Sequence, residues 1–208
     1  MTLDWLAAAE RLRAIAQTGL TYAKDRFDLQ RYRELEGMSL DMLAALLSST
    51  PEIMREVFEL SRGYPTPKVD VRTAVFSEGR ILLVQEWLDG GWTMPGGWAD
   101  EADSPREAAE RECREESGYE VRAARLIALR DRRRHPQQPR PRQLGGIYKV
   151  FFLGELLGGA ARVSEETTDV GFFALDELPP LSLVRTLPED IELAHRFHID
   201  PSLPAVFD

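Results

Sequence analysis

Apolar side chains recur every three or four residues from residue 4 to about residue 62. The first of them are Leu6, Ala9, Leu12 and Ile15. This spacing predicts helices throughout the segment. Ser39 has a suitable side chain for an N-cap of a helix that starts one residue later. Pro51 suits the first turn of the next helix.

Gly63, Pro65 and Pro67 end this pattern, because glycine and proline interrupt regular structure. From Val69 the pattern changes to short runs rich in strand-forming residues. We therefore expect a small all-α N-terminal domain, residues 1–64, followed by a second domain, residues 65–208.

The second domain mixes strand and helix patterns. The strand candidates are "VDVRTAVFS", "RILLVQEW", "YEVRAARLIALR", "GGIYKVFFLGEL" and "VGFFALDEL". The first two are separated by Glu-Gly, which predicts a hairpin. A helix is expected from about Ser104 to Ser117, with Ser104 as its cap and Gly118 ending it. A closing helix, "PEDIELAHRFHI", completes the pattern, which predicts an α+β fold with a mixed sheet and packed helices.

The composition is that of a soluble globular protein, with 43% apolar and 29% charged residues. No apolar run approaches the 18 residues of a membrane span, so no contact with a membrane is expected. The N-terminus lacks the basic start and unbroken apolar segment of a secretory signal. A single cysteine, Cys113, fits the reducing cytoplasm and a core position.

A net charge of −9 argues against broad binding to nucleic acid, which needs a basic surface. Residues 130–142, "RDRRRHPQQPRPR", are nevertheless strongly basic. They form either an exposed loop broken by prolines or an anion clamp. In the second case arginines such as Arg133 would bind the phosphates of a substrate.

Three glutamates, Glu112, Glu115 and Glu116, fall within one turn of the predicted helix that ends before Gly118. Like charges three or four residues apart repel by about 0.2–0.5 kcal/mol per pair. Mg²⁺ would relieve the repulsion, because it takes carboxylate oxygens and shares its other positions with water and phosphates. The alternative is a solvated surface helix laced with arginines. The preceding Pro95–Gly97 turn, however, would let a backbone approach a ligand closely.

The segment "GGWADEADSPREAAERECREESGY" resembles the Nudix box. In words, the box is a Gly, five residues, a Glu, seven residues, and then Arg-Glu-apolar-any-Glu-Glu-any-Gly-apolar. The matching residues are Gly97, Arg111, Glu112, Glu115, Glu116 and Gly118, with Cys113 and Tyr119 in the apolar places. Asp103 stands where the family has its first Glu, whose usual role is to support the loop and the box arginine.

The resemblance implies a Nudix α/β/α sandwich that hydrolyses a nucleoside diphosphate linked to another group X. The pyrophosphate would bind through Mg²⁺ or Mn²⁺. Implied metal ligands are Glu112, Glu115 and Glu116, together with the carbonyl oxygen of Gly96 or Gly97. Arg111 would orient the glutamates without binding the metal itself. Arg111 and the three glutamates are therefore the implied catalytic residues.

The whole chain is similar to a Nudix subgroup that carries an added N-terminal helical domain. Its members are described as ADP-ribose or CDP-choline pyrophosphatases, and one has RNA 3′-exonuclease activity. The resemblance therefore implies a small nucleoside diphosphate derivative as substrate, possible action on a short RNA, and a homodimer formed through the N-terminal helices. Those helices would equally well form a cap. A regulator that binds a nucleotide without turnover is the non-enzymatic alternative.

Substrate-side candidates are less specific. Glu166, next to Glu165 in the loop after a predicted strand, would supply a general base or a further metal ligand, or would simply be solvated. Arg72 would reach a phosphate or form a structural ion pair. Gly96 and Gly97 would approach the substrate through their backbone.

Aromatic residues and histidines are further candidates. Trp98 and Trp92 would stack on a base, although large aromatic side chains near a turn commonly just pack. Three histidines, His135, His195 and His198, have no second ligand at metal spacing. We expect all three to be structural or solvated.

Overall fold

The computed structural model describes residues 4–59, 63–135 and 145–208 of the chain. It divides into two compact units, Met1–Thr66 and Pro67–Asp208. No helix within the described ranges is long and apolar enough to cross a membrane.

The N-terminal unit contains three helices: α1 (Trp5–Tyr22), α2 (Arg26–Leu46) and α3 (Pro51–Glu59). Asp4 caps α1 and Asp25 caps α2, each accepting backbone N–H groups of the first turn. The prediction that Ser39 caps a separate helix is wrong. Ser39 lies inside α2, where its hydroxyl donates to the Glu36 carbonyl oxygen at 2.7 Å, so the helix continues past it.

The described residues of the second unit form seven strands, two α-helices and a short 3-10 helix, Arg132–Arg134. The strands and α-helices are β1 (Lys68–Ser77), β2 (Arg80–Glu86), β3 (Trp92–Thr93), α4 (Pro105–Ser117), β4 (Tyr119–Asp131), β5 (Ile147–Gly159), β6 (Thr167–Phe173), α5 (Pro188–Ile199) and β7 (Val206–Phe207). The strand order is β3-β2-β1-β5-β4-β7, and β6 also pairs with β2. Strand β1 is parallel to β5 and antiparallel to β2. The sheet is therefore mixed, as predicted.

The predicted hairpin between β1 and β2 is confirmed. Glu78 and Gly79 form its turn, with φ of 51° and 74°. Two consecutive left-handed residues are what a two-residue type I′ turn requires.

Helices α4 and α5 cover opposite faces of the sheet. They contact two neighbouring residues of β1, and neighbouring residues of a strand point to opposite faces. The hydroxyl of Thr73 donates to the Ala109 carbonyl oxygen of α4 at 3.2 Å. Ala74, one residue later, packs in a core that contains Ile191 and Phe197 of α5. The second unit is thus an α/β/α sandwich.

Cys113 of α4 lies in the core beside Val75, Leu82 and Val121. It is fully buried, and burial raises the pKa of its thiol to about 12. The cysteine is therefore a packing residue at neutral pH, as the sequence predicts.

Candidate active site

A glycine turn lies along the edge of β1 and is fixed to it by the backbone. The N–H of Thr73 donates to the Pro95 carbonyl oxygen at 2.9 Å, and that of Val71 donates to the Gly97 carbonyl oxygen at 2.8 Å. Gly96 lies between these two contacts with φ of 144°. A Cβ atom at Gly96 would lie 2.0 Å from the Val71 carbonyl oxygen, so only glycine fits there.

Helix α4 begins and ends where the sequence predicts. Ser104 and Glu107 form a reciprocal capping box at its start, with Pro105 in the first turn. Gly118 ends it with φ of 77°, the left-handed conformation that glycine adopts at low cost. With Ala109 and Cys113 buried in the core, the register of the helix fixes where its glutamates point.

Glu116 joins the helix to the glycine turn. The N–H of Gly96 donates to its Oε2 atom at 2.8 Å, and the side chain is only 5% exposed. Burial raises the pKa of this carboxyl to about 8, although Arg72 and the Gly96 N–H oppose the shift. The metal-free protein therefore holds Glu116 largely protonated at neutral pH.

Arg111 connects the remaining acidic groups of the box. Its Nη1 atom donates to Glu112 at 2.7 Å and to Glu115 at 3.2 Å. Its Nε atom donates to Asp103 Oδ2 at 3.0 Å, and Nη2 donates to the Trp98 carbonyl oxygen at 3.3 Å. Despite its shorter side chain, Asp103 reaches the arginine.

The three glutamates offer the hard oxygen donors that a divalent cation takes. Each of them hydrogen-bonds through one carboxylate oxygen and makes no hydrogen bond through the other within the described residues. In the described part of the chain they are not arranged as a closed metal cage. Their chemistry fits such an ion once the side chains turn toward it.

The two backbone candidates differ in their hydrogen bonds. The Gly97 carbonyl oxygen accepts the N–H of Val71, whereas the Gly96 carbonyl oxygen accepts no backbone N–H from the described residues. The carbonyl of Gly96 is thus the one that β1 leaves available for a ligand.

An open cavity of about 920 Å³ lies over this arrangement, within the usual size of ligand sites. Predicted site residues that line it are Arg72, Gly96, Gly97, Trp98, Arg111, Glu112, Glu115, Glu116 and Glu166. Arg133 is not among the lining residues. It is exposed and pairs with Asp131 at 2.6 Å, while the adjacent Arg132 lines the cavity.

Other candidates lie outside this cavity. Trp92 packs edge-on against Phe173, with ring centroids 4.6 Å apart. His198 stacks on Phe76 at 4.5 Å, and His135 lies 3.5 Å from Asp208. These placements agree with the structural roles expected for the histidines. Residues 136–142 of the predicted basic loop lie outside the described residues.

Family models match nearly the whole chain. A model of the NUDIX domain matches residues 66–196. A model described as a UDP-X-like N-terminal oligomerisation domain matches residues 3–58.

The chain belongs to the Nudix hydrolase family.

Individual relatives agree with this assignment. YjhB of Bacillus subtilis (strain 168), provisionally named an ADP-ribose pyrophosphatase, is 40% identical over 98% of this chain and 97% of its own length. A UDP-X diphosphatase of known crystal structure is 32% identical in sequence. Its structure matches with a TM-score of 0.63 over 99% of this chain and 98% of that one. An ADP-ribose pyrophosphatase from Streptococcus suis 89-1591 is 40% identical, with a TM-score of 0.62 over 69% of this chain and all of that one.

Several charged residues of this Nudix cavity, among them Asp70, Glu86, Lys149 and Arg185, are not predicted from the sequence. Asp70 and Arg72 form a buried pair on β1, with Nε–Oδ1 and Nη2–Oδ2 distances of 3.0 and 2.9 Å. Arg72 therefore has the structural ion pair that the sequence offered as an alternative, and it still lines the cavity. Lys149 faces Asp70 from β5, and Arg185 pairs with buried Glu86 at 2.7 Å. Charged residues within apolar strands were the available signal.

We expect Arg111→Ala to weaken Mg²⁺ binding by roughly 10- to 100-fold, the usual effect of removing a residue that orients metal ligands. Isothermal titration calorimetry with Mg²⁺ measures the effect. Arg114→Ala, on the exposed side of the same helix, is the matched control and should bind Mg²⁺ normally. Equal affinities of Arg111→Ala and Arg114→Ala would show that Arg111 does not organise the ligands.

The raised pKa of Glu116 predicts a pH-dependent stability. In the unfolded chain this carboxyl ionises near its ordinary pKa of 4.5, and in the folded metal-free protein near pH 8. Because the folded state holds the proton more tightly, stability falls as pH rises from about 4.5 to about 8 and stays low above that. Glu116→Gln removes this loss, and its amide oxygen can still accept the Gly96 N–H.

Thermal unfolding in EDTA tests this prediction. The rise of the Glu116 pKa from 4.5 to about 8 corresponds to roughly 5 kcal/mol above pH 8. Because about 1 kcal/mol shifts Tm by about 2–4 °C in a chain of this size, we expect Glu116→Gln to raise Tm at pH 9 by roughly 10 °C. Near pH 4.5 the variant should melt close to the unmodified protein. The same Tm difference at both pH values would contradict a protonated Glu116.

Proposed function

We propose that this Nudix hydrolase cleaves the pyrophosphate bond of a small nucleoside diphosphate linked to X. The products would be a nucleoside monophosphate and X-phosphate. The observation that carries the proposal is a cavity lined both by Glu112, Glu115, Glu116 and the Gly96 turn and by the buried cations Arg72 of β1 and Lys149 of β5. Relatives named ADP-ribose pyrophosphatase and UDP-X diphosphatase support the same substrate class.

Mg²⁺ or Mn²⁺ is the proposed cofactor. Glu112, Glu115 and Glu116 would hold it, with the carbonyl oxygen of Gly96 preferred to that of Gly97 as the backbone ligand. Such an ion neutralises phosphate charge and lowers the pKa of a bound water. Glu116 must lose its proton to take part, so metal binding in this cavity would release a proton.

The surrounding residues have supporting roles in this proposal. Arg111 holds Glu112 and Glu115 in position through the hydrogen bonds described above. Glu166 lines the cavity from an exposed loop whose backbone is fixed, because the N–H of Trp87 donates to the Glu166 carbonyl oxygen at 2.9 Å. Glu166 is the proposed general base because its backbone is held at the cavity, and a general base must lie within hydrogen-bond reach of the water it activates.

Trp98 is the proposed contact for the nucleotide base or for X. It is half-buried at the cavity wall, and the Lys68 ammonium lies 5.6 Å from its ring centroid. An indole face in this position offers stacking area to a flat ligand.

ADP-ribose is the first substrate to test, followed by UDP-sugars and other NDP-sugars, CDP-choline and a short RNA. With Mg²⁺ or Mn²⁺ present, we expect one diphosphate to be converted to a nucleoside monophosphate and X-phosphate, and Glu112→Gln to lose at least 100-fold of that turnover. Chromatography of the products measures this. RNA cleavage without diphosphate turnover would favour the exonuclease alternative, and no turnover at all would favour the nucleotide-binding regulator.

We also propose that the chain is a cytoplasmic homodimer joined through its N-terminal unit. The match to an oligomerisation domain supports this, and α1, α2 and α3 expose apolar side chains. These include Ile15, Phe27, Met38, Ile53 and Val57. A substrate cap built from the same helices is the alternative role.

The dimer predicts a sedimentation-equilibrium mass of twice the 23.6 kDa of one chain. Ile53→Asp should shift the mass toward one chain, because a buried unpaired charge disfavours association. Glu52→Asp, at the exposed neighbouring position, is the control. A single-chain mass for the unmodified protein at micromolar concentration would contradict the proposal.

A further inference from the structure

Lys149 is a buried cation that lines the cavity. None of the roles outlined above is assigned to it. It lies on β5 directly opposite Asp70 of β1. Its side chain is only 4% exposed, yet it is one of the residues that line the cavity. A lysine is rarely buried to this extent unless its charge is paired or used.

The contacts of Lys149 leave its hydrogen-bonding capacity partly unused. Its ammonium donates to the Arg185 carbonyl oxygen, and an ammonium has three N–H donors. Asp70 Oδ1 lies 3.8 Å away, beyond hydrogen-bond range. Within the described residues, Lys149 thus makes one hydrogen bond and one longer ion pair, and a ligand in the cavity that it lines could accept from its remaining N–H groups.

Asp70 does not account for Lys149 by itself, because Arg72 already holds both of its carboxylate oxygens. Arg132 lies in the same electrostatic surroundings and adds further positive charge. Asp190 acts on Lys149 as well, but its carboxylate is paired with Arg130 at 2.6 Å.

This local excess of positive charge is buried. Burial lowers the pKa of Lys149 to about 8, with Arg72 and Arg132 acting in the same direction and Asp70 and Asp190 opposing them. An anion in the cavity would offset part of the cost of holding these cations out of water.

Lys149 lies where it can bind a ligand that also contacts the glutamates of α4. Strand β1 has the Pro95–Gly97 turn on one edge and β5 on the other. Two strand spacings, roughly 10 Å, therefore separate the backbone of the turn from that of Lys149. A lysine side chain and a diphosphate together can cross this distance.

We infer that Lys149 is a substrate-binding residue that donates to phosphoryl oxygens of the diphosphate from the side opposite the glutamates. This inference rests on the proposed function and adds a second, metal-independent anion contact to the same site. The diphosphate is thus held between the box glutamates with their cation and the ammonium of β5.

The test is binding of methylenediphosphonate, a diphosphate analogue with no base and no X, measured by calorimetry in EDTA. We expect the unmodified protein to bind it, and Lys149→Met to bind it at least tenfold more weakly. Lys149→Gln, which can still donate to the Arg185 carbonyl oxygen, should lose as much. Lys149→Arg should stay within about threefold of the unmodified protein, because it keeps the charge.

Two controls separate this contact from general effects. Arg80→Met removes an exposed charge of the same unit, away from the cavity, and should leave binding unchanged. Glu112→Gln should bind the analogue in EDTA at least as tightly as the unmodified protein, since a repelling carboxylate is gone.

Three results would overturn the inference: no binding by the unmodified protein in EDTA, unchanged binding by Lys149→Gln, or equal losses in Lys149→Arg and Lys149→Gln. The third would show that the position is structural. Turnover of the substrate panel with Mg²⁺ is measured separately. A protein that hydrolyses a diphosphate but fails the EDTA test retains the proposed function and loses only this contact.

Discussion

The candidate active site depends on one hydrogen bond, from the Gly96 N–H to the buried carboxyl of Glu116. It joins the turn on the edge of β1 to helix α4, which the caps at Ser104 and Gly118 hold in register. Only glycine fits at position 96. Because the turn is also bonded to β1, the carboxylates and the Gly96 carbonyl face one cavity before any ligand binds.

This arrangement places ionisable side chains in buried positions, where the loss of hydration costs free energy. Burial raises the pKa of both Glu116 and Glu112, and Arg111 offsets part of the repulsion between Glu112 and Glu115. In the same cavity, Asp70 is the ion-pair partner of both Arg72 and Lys149. The cluster of glutamates suits a cation, and the buried lysine and arginine suit a diphosphate. The cavity therefore fits a ligand that carries both. The site is thus organised for its ligand at the expense of the stability of the empty protein.

The sequence predicts most of what is local in this protein. The box helix, its caps and the Glu78–Gly79 hairpin follow from spacing and turn chemistry. The Asp70–Lys149 pairing does not, because it depends on the register of two strands far apart in the chain. Arg132 rather than Arg133 lines the cavity because tertiary packing sets the direction of each side chain on the short 3-10 helix Arg132–Arg134. Ser39 failed as a cap because its hydroxyl bonds within a helix that continues.

Anomalous scattering from crystals grown with Mn²⁺ and α,β-methylene-ADP would locate the metal. We expect a manganese peak within coordinating distance of Glu112, Glu115, Glu116 and the Gly96 carbonyl oxygen, with a phosphoryl oxygen of the analogue beside it. A peak elsewhere in the cavity, with Arg111 still bonded to Glu112 and Glu116 still bonded only to the Gly96 N–H, would contradict this expectation.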